Sequence, residues 1–435
     1  MGARSNRLPA ILMSAVLAAV VGSGPVGVVD VASAADEGEV DAPGGEVRQE
    51  GSAAFAADLA LVVAETGLSP AAVEGSLRFQ DQFAGYAQRV SERYPGEISG
   101  IWTDPLPMAR GHIRFKDSTP TDFASALAPG DLDVVVDDGG TMSLEEQHER
   151  ARVVFDALVL LGHRNVVTFY SQDENQIRVE LQLPAASSQP TAAELAKVVQ
   201  VFQDSGLPGK LSLPDTLTDR ASEFRASDLD VVLFGGSGPL VETAHTRGGN
   251  WLRDDGVREC TSGWSVSGAG GPGITTAGHC AGLNQFEEPG VAPYGMTFKD
   301  QSWLEGGDVE WHTTTHAEFD DFYADAVNIR DVEDVRATNT MVGNTVCMYG
   351  RMSNVRTCNH TVEAVFVNVL ADGNVPVGEL ARTTNNSAVR GDSGGGWSFN
   401  FTAWGVTHGF DANGKSYFTT AREAESQLAV AILTQ

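Results

Sequence analysis

The sequence predicts a protein in two parts, an α+β first half and an all-β second half that ends in one helix. Up to about residue 243, segments with helical periodicity and capping residues alternate with runs typical of strands. From about residue 245, the chain consists of short β-branched and aromatic runs separated by glycines, which indicates a sandwich or a barrel. The segment FGGSGPLVETAHTRGGN between the halves is the expected linker.

The N-terminal residues have the features of a secretory signal. Arg4 and Arg7 precede an apolar run, and VASAAD offers a cleavage site of small residues after Ala34. A membrane anchor is the alternative, but the unbroken run of about 14 apolar residues is shorter than the roughly 20 that a span requires. We therefore predict an exported protein without a membrane span, in which an acidic, Gly- and Ala-rich linker follows the signal.

Composition and charge exclude several classes of function. The chain has 435 residues, of which 42% are hydrophobic and 20% charged, as in globular proteins with two or three domains. Its net charge of −29 would repel nucleic-acid phosphates. We expect no nucleic-acid partner, no cofactor and a monomer.

Capping residues mark the helices of the first half. Ser69 precedes Pro70 at the first helical position, and apolar residues then recur on one face. Ser143 and Glu146 form a capping box before a second helix, and the box Thr191–Glu194 precedes a third. Between the helices, GHIRF, LDVVV and IRVELQL have the pattern of strands.

The second half contains a series of strand-like runs and one capped helix. The runs are TSGWSVSG, PGITTAGH, DVEWHTTT, NTVCMYG, TVEAVFVNVLADG, FTAWGVTHG and KSYFTT. The final segment TAREAESQLAVAILTQ begins with a capping box of Thr420 and Glu423, and Leu428 and Ile432 are predicted to share one helical face.

The four cysteines lie in the second half. An even number of cysteines in an exported chain indicates two disulfides, and three connectivities are possible. Zinc binding is the rival interpretation, but zinc sites usually pair ligands at close spacing, whereas these spacings are 20 and 11 residues. We therefore favour the sequential pairs Cys260–Cys280 and Cys347–Cys358.

A candidate nucleophile lies in the segment VRGDSGGGW. A serine hydroxyl attacks only when a base removes its proton, and the resulting oxyanion needs donors that are already in place. The glycines around Ser393 allow the N–H groups of Gly391 and Ser393 to point at one spot. A glycine-rich turn without catalysis is the alternative, and this segment alone does not decide between them.

Two further segments supply a base and an acid. ITTAGHCAG places His279 beside Cys280, which a disulfide can anchor, and GGDVEW supplies Asp308 at the start of an alternating strand. We predict that Asp308 is buried and orients His279, because the other acids before the serine lie in charge-rich segments. His245 and His360 are expected at the surface.

Two other site types are disfavoured. Ser393 fits the G-x-S-x-G elbow of α/β-hydrolases, but only 42 residues follow it, too few for the acid, the histidine and the elements between them. His312 and His316 are four residues apart, yet on a strand that spacing separates them by about 13 Å. We therefore expect no metal site.

The motifs TTAGHC, VRGDSGGGW, VCMYGRMSNVRTC and GVTHG together resemble the bacterial branch of the chymotrypsin-like serine proteases, the group of streptogrisins and α-lytic protease. The resemblance covers about residues 245 to 435 in the order histidine, aspartate, serine. It implies two perpendicular six-stranded β-barrels followed by the C-terminal helix, with the site in the cleft between the barrels.

Upstream, LSPAAVEGSLRFQDQFAG and YPGEISGIWTDP resemble the pro-region of these proteases, which assists folding and then blocks the site. An unrelated accessory domain is the alternative. The expected division is a signal over 1–34, a linker over 35–52, a pro-region over 53–243 and a protease domain over 244–435.

The resemblance also implies a substrate pocket near the serine. No acid is expected at its base, which argues against cleavage after Lys or Arg. Arg390, His408 and Lys415 lie nearby, so a preference for acidic residues is to be tested. The expected pocket residues are Ser387, Ala388, Val389, Arg390, His408 and Phe410.

Two departures from the family pattern bear on the site. Met348 stands where an arginine usually pairs with the aspartate before the serine, so we predict that Arg351 or Arg356 pairs with Asp392. His408 replaces a serine that lies beside the catalytic aspartate, and it either changes pH dependence or specificity or substitutes for the serine's hydrogen bond.

The expected function is that of a secreted serine endopeptidase made as a proenzyme, acting on protein or peptide substrates. The expected partner within the chain is its own pro-region. A catalytically silent relative that binds protein, and an esterase with the same three residues, are the alternatives.

Overall fold

In the computed structural model, the described residues are 47–49, 51–126, 129–160, 163, 166–183, 211–212, 229–235, 241–242, 249–289, 292–304, 306–314, 318–371 and 375–435. The expected signal, most of the acidic linker, His245, His316 and the box Thr191–Glu194 lie outside these ranges. The described residues all belong to one compact unit. None of the helices in the described ranges is long and apolar enough to cross a bilayer.

The upstream elements alternate between helices and strands, as predicted. In chain order they are β1 (Val47–Arg48), α1 (Ser52–Thr66), α2 (Pro70–Arg93), β2 (Ile98–Thr103), β3 (Gly111–Lys116), α3 (Phe123–Ala126), β4 (Val134–Gly140), α4 (Leu144–Leu160), β5 (Val166–Ser171), β6 (Gln176–Leu183), β7 (Leu211–Ser212), β8 (Leu229–Gly235) and β9 (Val241–Glu242).

The predicted caps begin α2 and α4. The Ser69 hydroxyl accepts a hydrogen bond from the Ala72 N–H at the start of α2. At α4, the Ser143 N–H donates to Glu146 Oε2 at 2.7 Å and the Glu146 N–H donates to Ser143 Oγ at 3.2 Å. Because both caps join residues only three apart, they are local features that a sequence shows directly.

The downstream elements are almost all strands. They are β10 (Trp251–Asp254), β11 (Val257–Thr261), β12 (Ser265–Gly268), β13 (Gly271–Thr276), β14 (Gln285–Glu287), β15 (Tyr294–Leu304), β16 (Gly307–Thr314), β17 (Asp321–Tyr323), β18 (Asn328–Asp331), β19 (Asp334–Val335), a 3₁₀ turn (Thr338–Thr340), β20 (Thr345–Gly350), β21 (Val355–Ala371), β22 (Val375–Thr383), β23 (Gly396–Phe399), β24 (Thr402–Phe410), β25 (Ser416–Thr420), α5 (Ala421–Leu428) and β26 (Val430–Ile432).

Most of the downstream strands form two β-sheets. In the first, the strands pair in the order β11-β10-β14-β15-β16-β13-β12-β26. In the second, the order is β20-β23-β24-β25-β22-β21, and β21 pairs back with β20, so the six strands close into a barrel. This arrangement confirms the prediction of an all-β second half with chymotrypsin-like barrels.

The upstream strands extend the second barrel's sheet. β5 pairs antiparallel with β21, with Asn368 opposite Thr168, and β6, β8 and β7 follow in that order. The sheet β2-β3-β4 packs against the aromatic face of α2, where Phe79 and Phe83 stack with ring centroids 5.8 Å apart.

The C-terminal helix is shorter than the sequence predicts. Thr420 caps α5 as expected, accepting a hydrogen bond from the Glu423 N–H, but the helix ends at Leu428. Ala429 adopts φ 50°, in the left-handed region, and Ile432 then lies on β26 opposite Val266. The prediction that Leu428 and Ile432 share a helical face is therefore wrong, although both are buried in the same core cluster.

Candidate active site

The structure brings together three side chains that lie far apart in the chain. His279 follows β13, Asp308 lies on β16 and Ser393 precedes β23. His279 Nε2 lies 2.9 Å from Ser393 Oγ, and His279 Nδ1 lies 2.6 Å from Asp308 Oδ2. The imidazole therefore stands between a hydroxyl and a carboxylate, with one ring nitrogen toward each.

The loop that carries His279 is held at two points. Cys280 forms a disulfide with Cys260, which ties the loop to the end of β11. The backbone N–H of His279 donates to Asp308 Oδ1 at 2.8 Å, so the aspartate contacts both the ring and the main chain of the same residue. The second expected pair, Cys347–Cys358, is also a disulfide, which links β20 to β21.

Asp308 is fully buried and remains ionised. Burial alone would raise the pKa of its carboxyl, but the charges and hydrogen bonds of His279 and His408 outweigh burial and hold that pKa well below its ordinary value. The Asp308 N–H also donates to Thr419 Oγ1 at 2.9 Å, which fixes the backbone of β16 against β25.

His408 contacts the same carboxylate as His279. It lies on β24, is fully buried, and its Nδ1 is 2.6 Å from Asp308 Oδ2. The two imidazole rings meet edge to face with centroids 5.7 Å apart. Of the two roles considered for His408, the structure therefore supports the second. His408 makes a hydrogen bond to Asp308 in place of the usual serine.

The loop around Ser393 is shaped by close contacts. Gly391 adopts φ 103°, a conformation that side chains rarely allow, and its carbonyl accepts a hydrogen bond from Thr261 Oγ1 at 3.0 Å. At Gly394, also at positive φ, a Cβ would lie 2.1 Å from the Thr261 carbonyl oxygen. A residue other than glycine at position 394 would therefore displace this loop relative to β11.

The prediction of an arginine partner for Asp392 is wrong. Its carboxylate accepts backbone hydrogen bonds from Met352 and Ser353 at 3.1 and 3.0 Å, and from Val389 at 3.0 Å. The turn between β20 and β21 approaches so closely that a Cβ at Gly350 would lie 2.1 Å from Asp392 Cγ.

The two candidate arginines are engaged elsewhere. Arg351 donates to the Tyr349 hydroxyl at 2.9 Å, and Arg356 pairs with Asp58 of α1. Burial raises the pKa of the Asp392 carboxyl above its ordinary value, and the three amide donors oppose that effect. Backbone donors thus replace the cation, and no side-chain pattern could have revealed them.

The expected pocket residues lie beside the serine loop with different exposures. Ala388 and His408 are buried, Ser387 and Phe410 are partly buried, and Val389 and Arg390 are exposed. The Ser387 hydroxyl contacts His360 Nε2 at 2.8 Å.

His360 is buried, so the prediction that it lies at the surface is wrong. Its ring packs edge to face on Trp397, and Nε2 also lies 2.9 Å from Thr357 Oγ1. Burial lowers its pKa to about 4, so the ring is neutral near pH 7.

No protein-family model matches the chain. Among solved structures, protease A of Thermobifida fusca is 28% identical over 43% of this chain and 98% of its own, with a TM-score of 0.35. A Nocardiopsis protease is 23% identical over 43% of this chain and 98% of its own, with a TM-score of 0.36. A glutamic-acid-specific serine protease, described as using a histidine triad in substrate binding, is 24% identical over 43% of this chain and 100% of its own, with a TM-score of 0.36.

The closed six-stranded barrel and the chain order of His279, Asp308 and Ser393 decide the fold. It is that of the chymotrypsin-like bacterial serine proteases. The resemblance inferred from the motifs is confirmed at the level of fold.

Two groups of side chains in the described part of this chymotrypsin-like fold have atoms close enough to share a metal ion. One is Asp58 with Cys347 and Cys358, but both cysteines are consumed by their disulfide. The other is His279, Asp308 and His408, whose close atoms already form the hydrogen bonds given above. His312 lies on β16, as predicted, and its Nε2 contacts Glu310 Oε1 at 2.8 Å.

Proposed function

We propose that the chain is a serine endopeptidase, made as a secreted proenzyme, that hydrolyses peptide bonds through Ser393, His279 and Asp308. The observation that carries the proposal is the alignment of one imidazole between the Ser393 hydroxyl, at 2.9 Å, and the Asp308 carboxylate, at 2.6 Å. This geometry suits a base that takes a proton at Nε2 while Nδ1–H is held.

Each residue has one role in the proposed reaction. His279 Nε2 takes the Ser393 proton as Oγ attacks the substrate carbonyl, and Asp308 keeps the other proton on Nδ1. The N–H groups of Gly391 and Ser393 bind the oxyanion. His279 then protonates the leaving amine, and water releases the acyl group by the same steps in reverse.

The oxyanion donors are expected to contribute as much as a side chain. Removing one donor typically costs about 3 kcal/mol of transition-state stabilisation. The positive φ of Gly391 and the hydrogen bond from Thr261 to its carbonyl support this role, because both fix the orientation of the adjoining peptide.

Strand β9 supports the proenzyme part of the proposal. Val241 and Glu242 pair antiparallel with Phe410 and Gly409, at the edge of β24 next to His408. An extended peptide substrate would add to that same edge through its main chain. In the proposed proenzyme, Val241 and Glu242 therefore occupy the place of a substrate.

The proposed substrates are proteins or peptides with residues other than Lys or Arg before the cut bond. The pocket position that would need an acid to bind a cation carries Ser387, whose hydroxyl contacts the buried, neutral His360. The histidine-based recognition of glutamate by one similar protease makes acidic residues a substrate class to include in assays.

Covalent labelling tests the proposal. An organophosphonate should modify the processed wild-type protein at Ser393 and abolish casein hydrolysis, whereas Ser393→Ala should take no label. Ser267→Ala, an exposed serine on β12, is the matched control and should be labelled like the wild type. Absence of label from the wild type would favour a silent binding protein, and hydrolysis of a short acyl ester without casein would favour an esterase.

A further inference from the structure

Helix α1 buries one carboxylate, Asp58, against residues of the second half. Asp58 is 0% exposed. Arg330 donates to it through Nη1 and Nη2 at 2.8 and 3.0 Å, and Arg356 through Nε and Nη2 at 2.8 and 2.9 Å. The Asn400 N–H donates to Oδ2 at 2.8 Å. All five donors belong to residues after 244, and they form a preorganised receptor for a carboxylate.

The two arginines have no other acid partner within ion-pair distance among the described residues. Arg330 is 0% and Arg356 5% exposed. Their remaining donors are satisfied by neutral groups, such as the Gln49 side chain for Arg330 and the Ser398 hydroxyl for Arg356. Without Asp58, two neighbouring buried guanidinium groups would lose the one carboxylate that hydrogen-bonds to both, which is a large cost in a dry site.

Apolar side chains seal the site from water. Val62 of α1 and Val73 and Leu77 of α2 form one buried cluster with the disulfide Cys347–Cys358. Phe55 of α1 also meets Phe399 edge to face, with ring centroids 6.1 Å apart. The ion pairs therefore lie in a low-dielectric environment, where attraction between charges is strongest.

Other charged contacts between the two halves are more exposed or less exclusive. Asp81 lies 3.9 Å from Arg336, but the Asp81 side chain is 83% exposed. Glu180 pairs with Arg382 in a buried position, yet Arg382 also pairs with Glu363 of its own half. Only a small contribution is expected from an exposed pair, so Asp58 is the contact whose loss should weaken the association most.

We propose that Arg330, Arg356 and the Asn400 amide form a carboxylate-binding site on the 244–435 domain. The site takes the aspartate of an apolar helix, and in this chain it holds the N-terminal segment in place after the connecting chain is cut. The proposal rests on the proposed proenzyme organisation and not on catalytic activity.

The test uses the full chain with Ser393→Ala, so that no self-cleavage occurs. A recognition sequence for a site-specific endopeptidase is inserted after Thr243, the purified chain is cut, and the dissociation constant of the two fragments is measured by dilution and size exclusion. Asp58→Asn should raise that constant at least about 100-fold, since breaking a buried pair is strongly destabilising.

Asp81→Asn is the matched control, because it removes an acid of similar location that is open to water. Its dissociation constant should stay within about threefold of the parent. A constant for Asp58→Asn that also stays within threefold would overturn the proposal.

A second variant covers the case in which Asp58→Asn does not fold. Arg356→Lys keeps the positive charge but cannot donate two hydrogen bonds in parallel, so it should weaken association about tenfold. No weakening by Arg356→Lys would likewise overturn the proposal. Casein hydrolysis is measured separately with the chain that retains Ser393. Failure of the proposed enzyme activity is therefore distinguishable from failure of the carboxylate-binding site.

Discussion

At the scale of single residues, the unusual feature of the site is that two imidazoles share one carboxylate oxygen. Asp308 Oδ2 lies 2.6 Å from Nδ1 of His279 and 2.6 Å from Nδ1 of His408. A hydrogen bond from His408 stabilises the Asp308 charge and so reduces the negative charge available to a protonated His279. His408 is therefore a positioning residue that should lower the basicity of His279.

Replacement of His408 by alanine, which removes its hydrogen bond to Asp308, should shift the pH dependence of catalysis. A hydrogen bond to a charged group is worth roughly 1.5 to 3 kcal/mol, and one pH unit corresponds to about 1.4 kcal/mol. Activity needs neutral His279, so a higher His279 pKa moves the acid limb of kcat/KM to higher pH, by about one unit in His408→Ala. The measurement is the pH profile of kcat/KM for a peptide substrate.

His312→Asn is the control for this prediction, since it removes another buried imidazole whose partner is Glu310. Its acid limb should coincide with that of the wild type. If His408→Ala lowers activity equally at every pH and leaves the limb in place, His408 has only a packing role.

The sequence predicts individual site residues when their motifs are local, and it fails when their partners are distant or belong to the backbone. His279, Asp308 and Ser393 each lie in a short segment with a chemical signature, and the structure brings them together. Asp392 is satisfied by main-chain amides, which carry no sequence signal. Asp58 reaches Arg356 across 298 positions, and nothing in the α1 sequence marks it as an ion-pair partner.

At the scale of elements, the pairing of β9 with β24 predicts the maturation site. Glu242 lies opposite Gly409 and Val241 opposite Phe410, so a substrate in the same register would place its next residue opposite His408. That position borders Asp308 and His279, both of which His408 contacts. In the sequence the next residue is Thr243, and we expect the bond between Thr243 and Ala244 to be cut.

N-terminal sequencing of the secreted, processed protein measures this directly. The mature chain should begin at Ala244, and Ser393→Ala should remain uncut. Substitution of Thr243 by proline should slow processing strongly, because proline alters the backbone at the residue before the cut bond. A mature N-terminus several residues away from Ala244 would show that β9 does not define the register of the cut.

Elements are predictable where their ends are set by local chemistry. The caps of α2 and α4 join residues three positions apart, and both were readable from the sequence. The end of α5 is not predictable in this way. The helical periodicity of the sequence continues to Ile432, but β26 pairs with β12, a strand more than 160 residues upstream, and this pairing ends the helix earlier. Tertiary pairing outweighs local propensity there.

At the scale of the whole molecule, the upstream and downstream halves share one sheet. β5 and β6 continue the sheet of the second barrel from the edge of β21, a strand of 17 residues. The sequence indicates an α+β half and an all-β half but not this junction, because strand pairing between halves leaves no periodic signal in either. The second barrel is thus covered at β21 by β5 and at the Cys347–Cys358 disulfide by α1 and α2.

This shared sheet leads us to expect that residues 53–243 assist folding of the barrels. The second barrel pairs strands far apart in sequence, such as β20 with β23 and β22 with β25, and such contacts form slowly because loop closure precedes them. Strands β5 and β6 offer β21 a preformed edge, which should lower that barrier. Refolding of residues 244–435 alone should therefore yield at least tenfold less casein-hydrolysing activity than refolding with residues 35–243 added as a separate chain. Addition of that segment carrying Asp58→Asn should give an intermediate yield, and equal yields with and without any added segment would remove the folding role.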